Sequence, residues 1–317
     1  MAKLSDLGER RLVNLLLGMY DRGENMGDDA AILPVGRRYL LLTTDVINES
    51  THIPEGAQPQ QVGWYVVAVN FSDIAAMGGE PMGFLAALTL PREMEVSYLE
   101  DLARGMDACV REFGTEVLGG DTKEGSELSI CGIALGWTRG RRVLRRRGCK
   151  PGDLLAVTGV LGGAGWAQAR LDKKTGDEDA LTILMGPRPR VEEGLILASS
   201  PAVTSCMDIS DGLASSVGQL SDTNGLSFLV EYEKLPITPR LEGSTEEERR
   251  EAVLFKGGDF ELLFTVKPEG WSSLQSALER GGLGATVIGL VRRKGENILR
   301  AQGRQGVLEA RGYEHFM

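Results

Sequence analysis

Histidine is the rarest residue in this chain, because only His52 and His315 occur among 317 residues. This scarcity excludes HExxH metal sites and zinc sites with three histidines, and it leaves little for a Ser-His-Asp triad. No GxxxxGK[ST] loop occurs either, which removes the commonest signature of ATP binding but does not exclude ATP. Any catalysis must therefore rest on carboxylates, metal ions and backbone groups.

Long hydrophobic runs, paired cysteines and an excess of basic charge are also missing. No apolar stretch approaches the roughly 20 residues of a membrane helix, and residues 1–6 resemble neither a signal nor a transit peptide. We therefore expect a cytoplasmic protein without membrane contact. The four cysteines form no CxxC pair, which favours reduced, mostly buried thiols. The net charge of -10 and the pI near 5.0 argue against nucleic acid as a partner.

The length and the 42% hydrophobic content predict two domains of ordinary size. Strand and helix patterns alternate in an α/β or α+β manner without an internal repeat. Helical spacing of apolar residues predicts helices over 4–20 and from Pro59 to Gly78. The turn-rich segment 148–153 predicts the domain boundary, which divides the chain into residues 1–147 and 148–317.

Five short acidic segments carry most of the information about function. Each places Asp beside Gly, Ser or Thr at the end of an apolar run, and they are 27–31 (GDDAA), 43–45 (TTD), 70–73 (NFSD), 119–122 (GGDT) and 207–212 (MDISDG). Two carboxylates about 4 Å apart repel by roughly 4 kcal/mol at an effective dielectric constant near 20. If the segments converge, they must raise their pKa values or bind hard divalent cations.

Local patterns bring some of these segments together. A hairpin predicted from the runs 30–33 and 38–43 places Asp28 and Asp45 at the same open end. The helix from Pro59 places Asp73 on or beside its inward face, where a carboxylate needs a partner or a metal ion. Capping of a neighbouring element remains the simpler alternative for Asp73, and Ser210 or Asp211 could likewise be a helix N-cap.

Three further segments have both a structural and a functional interpretation. The glycines of 159–165 precede a helix predicted to start near Trp166, and they form either a phosphate-binding turn or an ordinary tight turn. Residues 257–262 (GGDFEL) form an acidic turn before a strand. An arginine-rich segment is either a solvated face or a phosphate-binding patch, and it contains Arg139, Arg141, Arg142, Arg145, Arg146 and Arg147.

Taken in order, these motifs resemble those of the thiamine-monophosphate kinase family, which shares a superfamily with aminoimidazole ribonucleotide synthetase, selenophosphate synthetase and a hydrogenase maturation factor. The motifs that carry the resemblance are GDDAA, TTD followed by His52, NFSDIAAMGGEP, LGGDT, RRRGCKPGD, VTG, MDISDGL and GGDFELLFT. They extend from about residue 27 to the C-terminal GYEHF, so they cover nearly the whole chain.

The resemblance implies a two-domain α/β protomer. Its α+β N-terminal domain would supply a sheet that pairs in a homodimer, and its C-terminal domain would be an α/β layer. The implied activity is ATP-dependent phosphorylation of thiamine monophosphate to thiamine diphosphate, with ATP and several Mg²⁺ ions in the cleft between the domains. A phosphate acceptor is already ionised near neutral pH, so such a kinase needs no general base, which agrees with the scarcity of histidine.

Motif matching implies a role for each site residue. The metal ligands would be Asp28, Thr43, Thr44, Asp45, Asp73, Asp121, Asp208 and Asp211. Those with a direct part in catalysis would be Asp45, Asp73 and Asp121. The residues in contact with ATP would be Gly120, Asp121, Arg146 and Ser210. The residues facing thiamine monophosphate would be His52, Asp259, Glu261 and Tyr313.

Arg146 is chosen from its cluster by motif position, and Arg145 and Arg147 should point to the other face if the segment is a strand. The family usually has GGEDYEL where this chain has GGDFEL, so the choice between Asp259 and Glu261 stays open. Two alternatives to the kinase also remain. They are another ATP-dependent activity of the superfamily, such as aminoimidazole ribonucleotide synthetase, and a non-catalytic nucleotide or metal-binding protein.

Overall fold

The computed structural model describes residues 4–20, 26–173 and 175–315, and two β-sheets organise them. The strands of the first sheet are β1 (Ala31–Val35), β2 (Arg38–Asn48), β3 (Gly79–Pro91), β4 (Val117–Gly125) and β5 (Ser129–Thr138). Their order in the sheet is β1-β2-β5-β3-β4, and every pair is antiparallel except β3 and β4. The predicted hairpin is confirmed, since β1 pairs with β2 and Ala31 lies opposite Leu42.

The helices of this first half are α1 (Glu9–Met19), α2 (Glu49–His52), α3 (Pro59–Ala76) and α4 (Val96–Glu112). Pro59 starts α3 because its ring presets a helical φ and its missing N–H is not needed there. Glycine lets α3 and α4 approach closely, since a Cβ on Gly63 would lie 2.0 Å from the Leu102 carbonyl oxygen. Buried side chains of α3 such as Val66 pack against the sheet in the hydrophobic core.

The two faces of the first sheet differ in burial. Along β5, buried residues alternate with half-buried ones, as the twofold side-chain period of a strand requires. Ile130 and Ala134 are buried on the helix side, whereas Cys131, Ile133 and Leu135 keep partial exposure on the opposite side. This opposite side is mainly apolar, and the edge strand β4 is exposed along almost its whole length.

The strands of the second sheet are β6 (Leu154–Thr158), β7 (Val203–Asp208), β8 (Ser227–Glu231), β9 (Leu262–Val266), β10 (Ala285–Arg292), β11 (Ile298–Ala301) and β12 (Arg304–Val307). Their order is β12-β11-β8-β10-β6-β9-β7. The helices of this half are α5 (Gly163–Leu171), α6 (Glu178–Met185), α7 (Val191–Ser199), α8 (Leu213–Asn224), α9 (Glu246–Arg250) and α10 (Trp271–Arg280). The predicted strand 262–266 is confirmed and is buried along its whole length.

Helix α3 joins the two halves. Gly194 of α7 lies so close to α3 that a Cβ there would be 2.1 Å from the Ala75 carbonyl oxygen. The end of β7 also lies beside α3, because the Ser72 hydroxyl donates a hydrogen bond of 2.7 Å to the Asp208 carboxylate. An acidic residue of the second half thus reaches the helix that carries Asp73.

Some local predictions were wrong in detail. The helix predicted over 4–20 is interrupted at Gly8, whose φ of 72° separates a short 3-10 turn from α1. The helix expected near Trp166 begins earlier, at Gly163. The arginine-rich segment at 145–147 lies outside any strand, so strand alternation does not govern Arg146 and its neighbours.

The N-cap of α8 is Gly212 rather than Ser210 or Asp211. Gly212 has a φ of 101°, a backbone conformation that a residue with a side chain rarely adopts. Ser210 and Asp211 are therefore available for another role. Among the helices of the described ranges, none combines the length and the apolar character needed to cross a lipid bilayer.

Candidate active site

A cavity of about 980 Å³ lies where α3, the open end of the β1–β2 hairpin and the end of β7 meet. Its walls come from both halves of the chain. Many residues predicted from the sequence line it, namely Asp28, Thr43, Thr44, Asp45, His52, Asp73, Arg146, Asp208, Ser210, Asp211 and Tyr313. The convergence of the segments around Asp28, Asp45, Asp73 and Asp208 is thus a property of the fold.

Three carboxylates form the tightest acidic cluster in this cavity. One oxygen each of Asp29, Asp73 and Asp208 lies within 4.8 Å of the others. Asp29 precedes β1, Asp73 is in the last turns of α3, and Asp208 ends β7. The sequence prediction named Asp28 and missed Asp29, although both belong to the same GDD motif.

The two neighbouring aspartates have different partners. The Asp28 carboxylate accepts hydrogen bonds from Arg145 at 3.0 Å and from the Arg146 backbone N–H at 2.9 Å. Asp29 instead faces the Arg146 guanidinium at 2.6 Å. Its other oxygen, Oδ2, is buried and has no hydrogen-bond partner among the described residues. Asp29, and not Asp28, therefore belongs to the tight carboxylate cluster.

Burial and mutual repulsion dominate the electrostatics of the cluster. Burial raises the pKa of Asp73 well above its usual value, and Asp45 and Asp208 raise it further. Burial, followed by the charge of Asp29, raises the pKa of Asp208 to about 8. The Thr43 hydroxyl donates a hydrogen bond to Asp73 and opposes part of this shift. The cluster is consequently short of positive charge.

Among the described residues, Arg146 is the only arginine or lysine that lines the cavity. Burial disfavours its charged form, but Asp29, Asp208 and Asp73 more than compensate, so the pKa of Arg146 is raised. It also donates a hydrogen bond of 2.8 Å to Gln219. These contacts fix the guanidinium between the carboxylate cluster and α8.

A second acidic pair lies in the same cavity. Burial raises the pKa of Asp45 to about 6, with a smaller contribution from the charge of Asp211. The backbone carbonyl of Asp211 accepts a hydrogen bond of 3.0 Å from the Tyr313 N–H. The C-terminal segment is therefore attached directly to this pair, beside Ser210.

The two histidines meet at this cavity although they are far apart in the chain. The ring centroids of His52 and His315 are 5.1 Å apart, and Tyr313 makes an edge contact with His315 at 5.0 Å. Burial lowers the pKa of His52, and the nearby His315 lowers it further. The His315 N–H also donates a hydrogen bond to Glu9 of α1. Sequence reasoning missed both His315 and Glu9 as cavity residues, since only the tertiary contact joins the two ends of the chain.

Gly120 and Asp121, which are predicted to contact ATP and metal, do not line this cavity. Both lie on the exposed edge strand β4, and the Asp121 side chain is 63% exposed. Its ion pair with Lys123, at 3.5 Å, is a surface contact. The four-residue match to GGDT could not reveal this, because the position of an edge strand depends on the whole sheet.

The carboxylates of the GGDFEL turn also point away from the cavity, and this corrects the substrate contacts predicted for them. Asp259 accepts hydrogen bonds from the backbone N–H groups of Gly162 and Ala164 at 2.7 and 2.9 Å. Glu261 is buried against Arg190 and accepts a hydrogen bond of 2.7 Å from Thr158. The turn instead presents Gly257, Gly258 and Phe260 to the cavity.

The same contacts decide between the two interpretations of the glycine-rich segment before α5. The start of α5 would suit an anion because its first N–H groups have no partner within the helix. The carboxylate of Asp259 already occupies this position. A Cβ on Gly159 would lie 1.9 Å from the Glu261 carboxylate, so glycine there serves close packing. The segment is therefore a structural turn and not a phosphate-binding turn.

The fold and the acidic cavity between its two halves indicate a class of two-domain proteins. Comparison with known domain families identifies the same class. Residues 27–138 match the N-terminal domain of AIR synthase related protein, and residues 150–302 match its C-terminal domain. The chain is a two-domain α/β protein of this superfamily.

The relatives narrow the class to one family. Thiamine-monophosphate kinase of Synechococcus elongatus is 34% identical, with 99% of this chain and 98% of the relative covered. That of Pyrococcus abyssi is 33% identical, with 97% and 95% covered. The solved structure of AaThiL complexed with AMPPCP and TMP superposes with a TM-score of 0.85 at 30% identity, and 99% of each chain is covered. This chain belongs to the thiamine-monophosphate kinase family.

Proposed function

We propose that the protein transfers the γ-phosphoryl group of ATP to thiamine monophosphate and thereby makes thiamine diphosphate. The observation that carries the proposal is the cavity, which collects buried carboxylates from both halves of a chain of this family. Support for the two substrates comes from AaThiL, which binds AMPPCP, an ATP analogue, together with TMP.

Mg²⁺ is the metal that fits the residues of the cavity best. Asp29, Asp73 and Asp208 offer only oxygen ligands, which a hard cation prefers. The Asp29 Oδ2 atom is buried without a hydrogen-bond partner among the described residues, so it has an oxygen lone pair to offer. When bound, Mg²⁺ would neutralise phosphate oxygens and orient the group to be transferred.

We extend the metal set to the other acidic side chains that line the cavity, Asp28, Asp45 and Asp211, with Thr43 and Thr44 beside them. Asp28 has the weaker claim, because Arg145 and a backbone N–H already satisfy its carboxylate. Asp73 and Asp45 are the residues that we assign to catalysis.

The proposed reaction does not need a general base. Thiamine monophosphate carries an ionised phosphate near neutral pH, since the second pKa of a phosphate monoester is about 6. One of its oxygens can attack the γ-phosphorus directly as the bond to the β-phosphate oxygen breaks and ADP leaves in line. We assign Arg146 and Ser210 to ATP, and His52 and Tyr313 to thiamine monophosphate.

We propose a homodimer that forms through the open face of the first sheet. Half-buried apolar residues such as Ile133 and Leu135 would be covered there. Asp121 and Gly120 lie on the edge strand of the same sheet, so we assign their metal and ATP contacts to the assembled dimer. We place the boundary of the two domains between residues 147 and 148, and we expect a cytoplasmic enzyme without a nucleic acid partner.

The test is direct. The purified protein is incubated with ATP, Mg²⁺ and thiamine monophosphate, and thiamine diphosphate and ADP are measured by chromatography. We expect equimolar formation of both products, and no turnover in excess EDTA. Failure to form thiamine diphosphate, together with turnover of formylglycinamidine ribonucleotide, would exclude the kinase and favour the ring-closing ligase of the superfamily.

A further inference from the structure

Phe260 has the most unusual backbone of the cavity wall. Its φ is 49°, in the left-handed region, where an aromatic residue is strained. The residue is nevertheless buried, and it lines the cavity. Strained residues of this kind persist only where the surroundings hold them in place, and they concentrate at functional sites.

The surroundings of Phe260 hold it from both sides. Asp259 is fixed by the backbone N–H groups at the start of α5, and Glu261 is fixed by Arg190 and Thr158. The Phe260 N–H itself donates a hydrogen bond of 3.0 Å to the Ile209 carbonyl oxygen. The two acidic residues of the turn therefore act as positioning residues for the ring between them.

The ring of Phe260 meets an aromatic residue of the other half of the chain. Its centroid lies 6.0 Å from that of Tyr65 on α3, at an interplanar angle of 78°. Tyr65 lines the same cavity as Asp45 and Asp211, whose charges act on its hydroxyl. The aromatic corner formed by Phe260 and Tyr65 therefore lies in the cavity that contains the second acidic pair.

This combination of aromatic rings and carboxylates suits a flat organic cation. A cation over an aromatic ring is attracted by the ring quadrupole, and cation–π pairing is a common way to recognise quaternary nitrogen. The thiazolium ring of thiamine monophosphate is such a cation, since its nitrogen is quaternary. We propose that Phe260 and Tyr65 form the subsite that receives this ring and determines specificity for it. The inference rests on the proposed function.

The first test replaces the ring by an alkyl side chain of similar size. Phe260→Leu should weaken thiamine monophosphate binding about 2- to 30-fold, the range of one cation–π contact, and leave the KM for ATP unchanged. Phe260→Tyr, which keeps the ring, should retain affinity. Phe255→Leu is the matched control, because Phe255 packs under Arg311 outside the cavity. Binding is measured by calorimetry, and folding by thermal unfolding.

The second test separates charge from shape. A thiamine monophosphate analogue in which a neutral thiophene replaces the thiazolium is compared with the natural compound. The native protein should prefer the cation, and Phe260→Leu should lose most of this preference. If Phe260→Leu weakens both compounds equally, or neither, the proposed subsite is wrong.

Two outcomes keep the inference distinct from the proposed function. If the native protein makes no thiamine diphosphate, the proposed function fails. If it does, while Phe260→Leu binds like the native protein, only the subsite fails. Should Phe260→Leu not fold, Tyr65→Leu changes the same corner from α3 without touching the strained turn, and its preference for the cation is measured in the same way.

Discussion

Asp73→Asn should stabilise the metal-free protein while it abolishes turnover. At 4.8 Å and an effective dielectric constant near 20, each pair of ionised carboxylates in the cluster repels by about 3.5 kcal/mol. Asn keeps the shape of Asp and can still accept the hydrogen bond from Thr43. After allowing for Arg146 and for relaxation, we expect the variant to gain about 2 to 4 kcal/mol when the cluster is ionised.

The stability that Asp73→Asn gains over the native protein should increase as the pH rises. The folded-state pKa of Asp73 lies well above 3.8, and that of Asp208 is about 8, so both groups favour the protonated form in the folded protein. Stability from such groups is present at low pH and is lost as the pH rises through the folded-state pKa. Without metal, the native protein should therefore lose stability between about pH 4, the pKa of an unfolded aspartate, and about pH 8, the folded-state pKa of Asp208, and Asp73→Asn should lose less.

Mg²⁺ should reverse the order of stability. A ligand at 100 times its Kd stabilises the folded state by about 2.7 kcal/mol, and Asp73→Asn removes a charge that the ion needs. Urea unfolding in EDTA and in Mg²⁺, at about pH 5 and about pH 8, measures each effect, and Asp222→Asn on the exposed side of α8, outside the cavity, is the control. The reasoning is refuted if Asp73→Asn is less stable than the native protein in EDTA at high pH, or if Mg²⁺ stabilises both equally.

Three other substitutions test the residues that hold the site in place. Arg190→Met should cost about 3 to 5 kcal/mol, because it leaves Glu261 buried without its cation, and Arg190→Met/Glu261→Gln should recover much of this in urea unfolding; equal losses in the single and double variants would contradict it. Arg146→Met should likewise destabilise the protein in EDTA by leaving Asp29 uncompensated, and Mg²⁺ should restore part of the loss. Burial raises the pKa of Asp259 to about 6, so native stability should fall between about pH 4 and pH 6. Asp259→Asn should reduce this fall in urea titrations at about pH 4 and pH 7, and an unchanged pH dependence would show that another group causes it.

Local patterns in the sequence predict much of the scaffold of the site. Apolar spacing and turn residues predict the hairpin, and α3 with Asp73 near its inward face, because these features depend on neighbours within a few residues. The acidic segments and the scarcity of histidine indicate phosphate chemistry with divalent cations. Recognition of the family rests on the same short motifs, and the comparisons confirm it.

Long-range contacts decide what these patterns leave open. Asp28 and Asp29 are adjacent, yet Arg145 and Arg146 from a distant segment separate their roles. The turn at 257–262 shows the same effect, since its carboxylates are taken up by partners about a hundred residues away, and its ring faces the cavity instead.

The sequence by itself thus determined the family, through the order of its short motifs, and the elements that carry the acidic residues, through the periodicity of the apolar residues. The tertiary structure alone decided which carboxylates remain in the cavity and which are neutralised within the fold. The physical reason is that a buried charge must find a partner, and such a partner is supplied by whichever distant segment packs beside it.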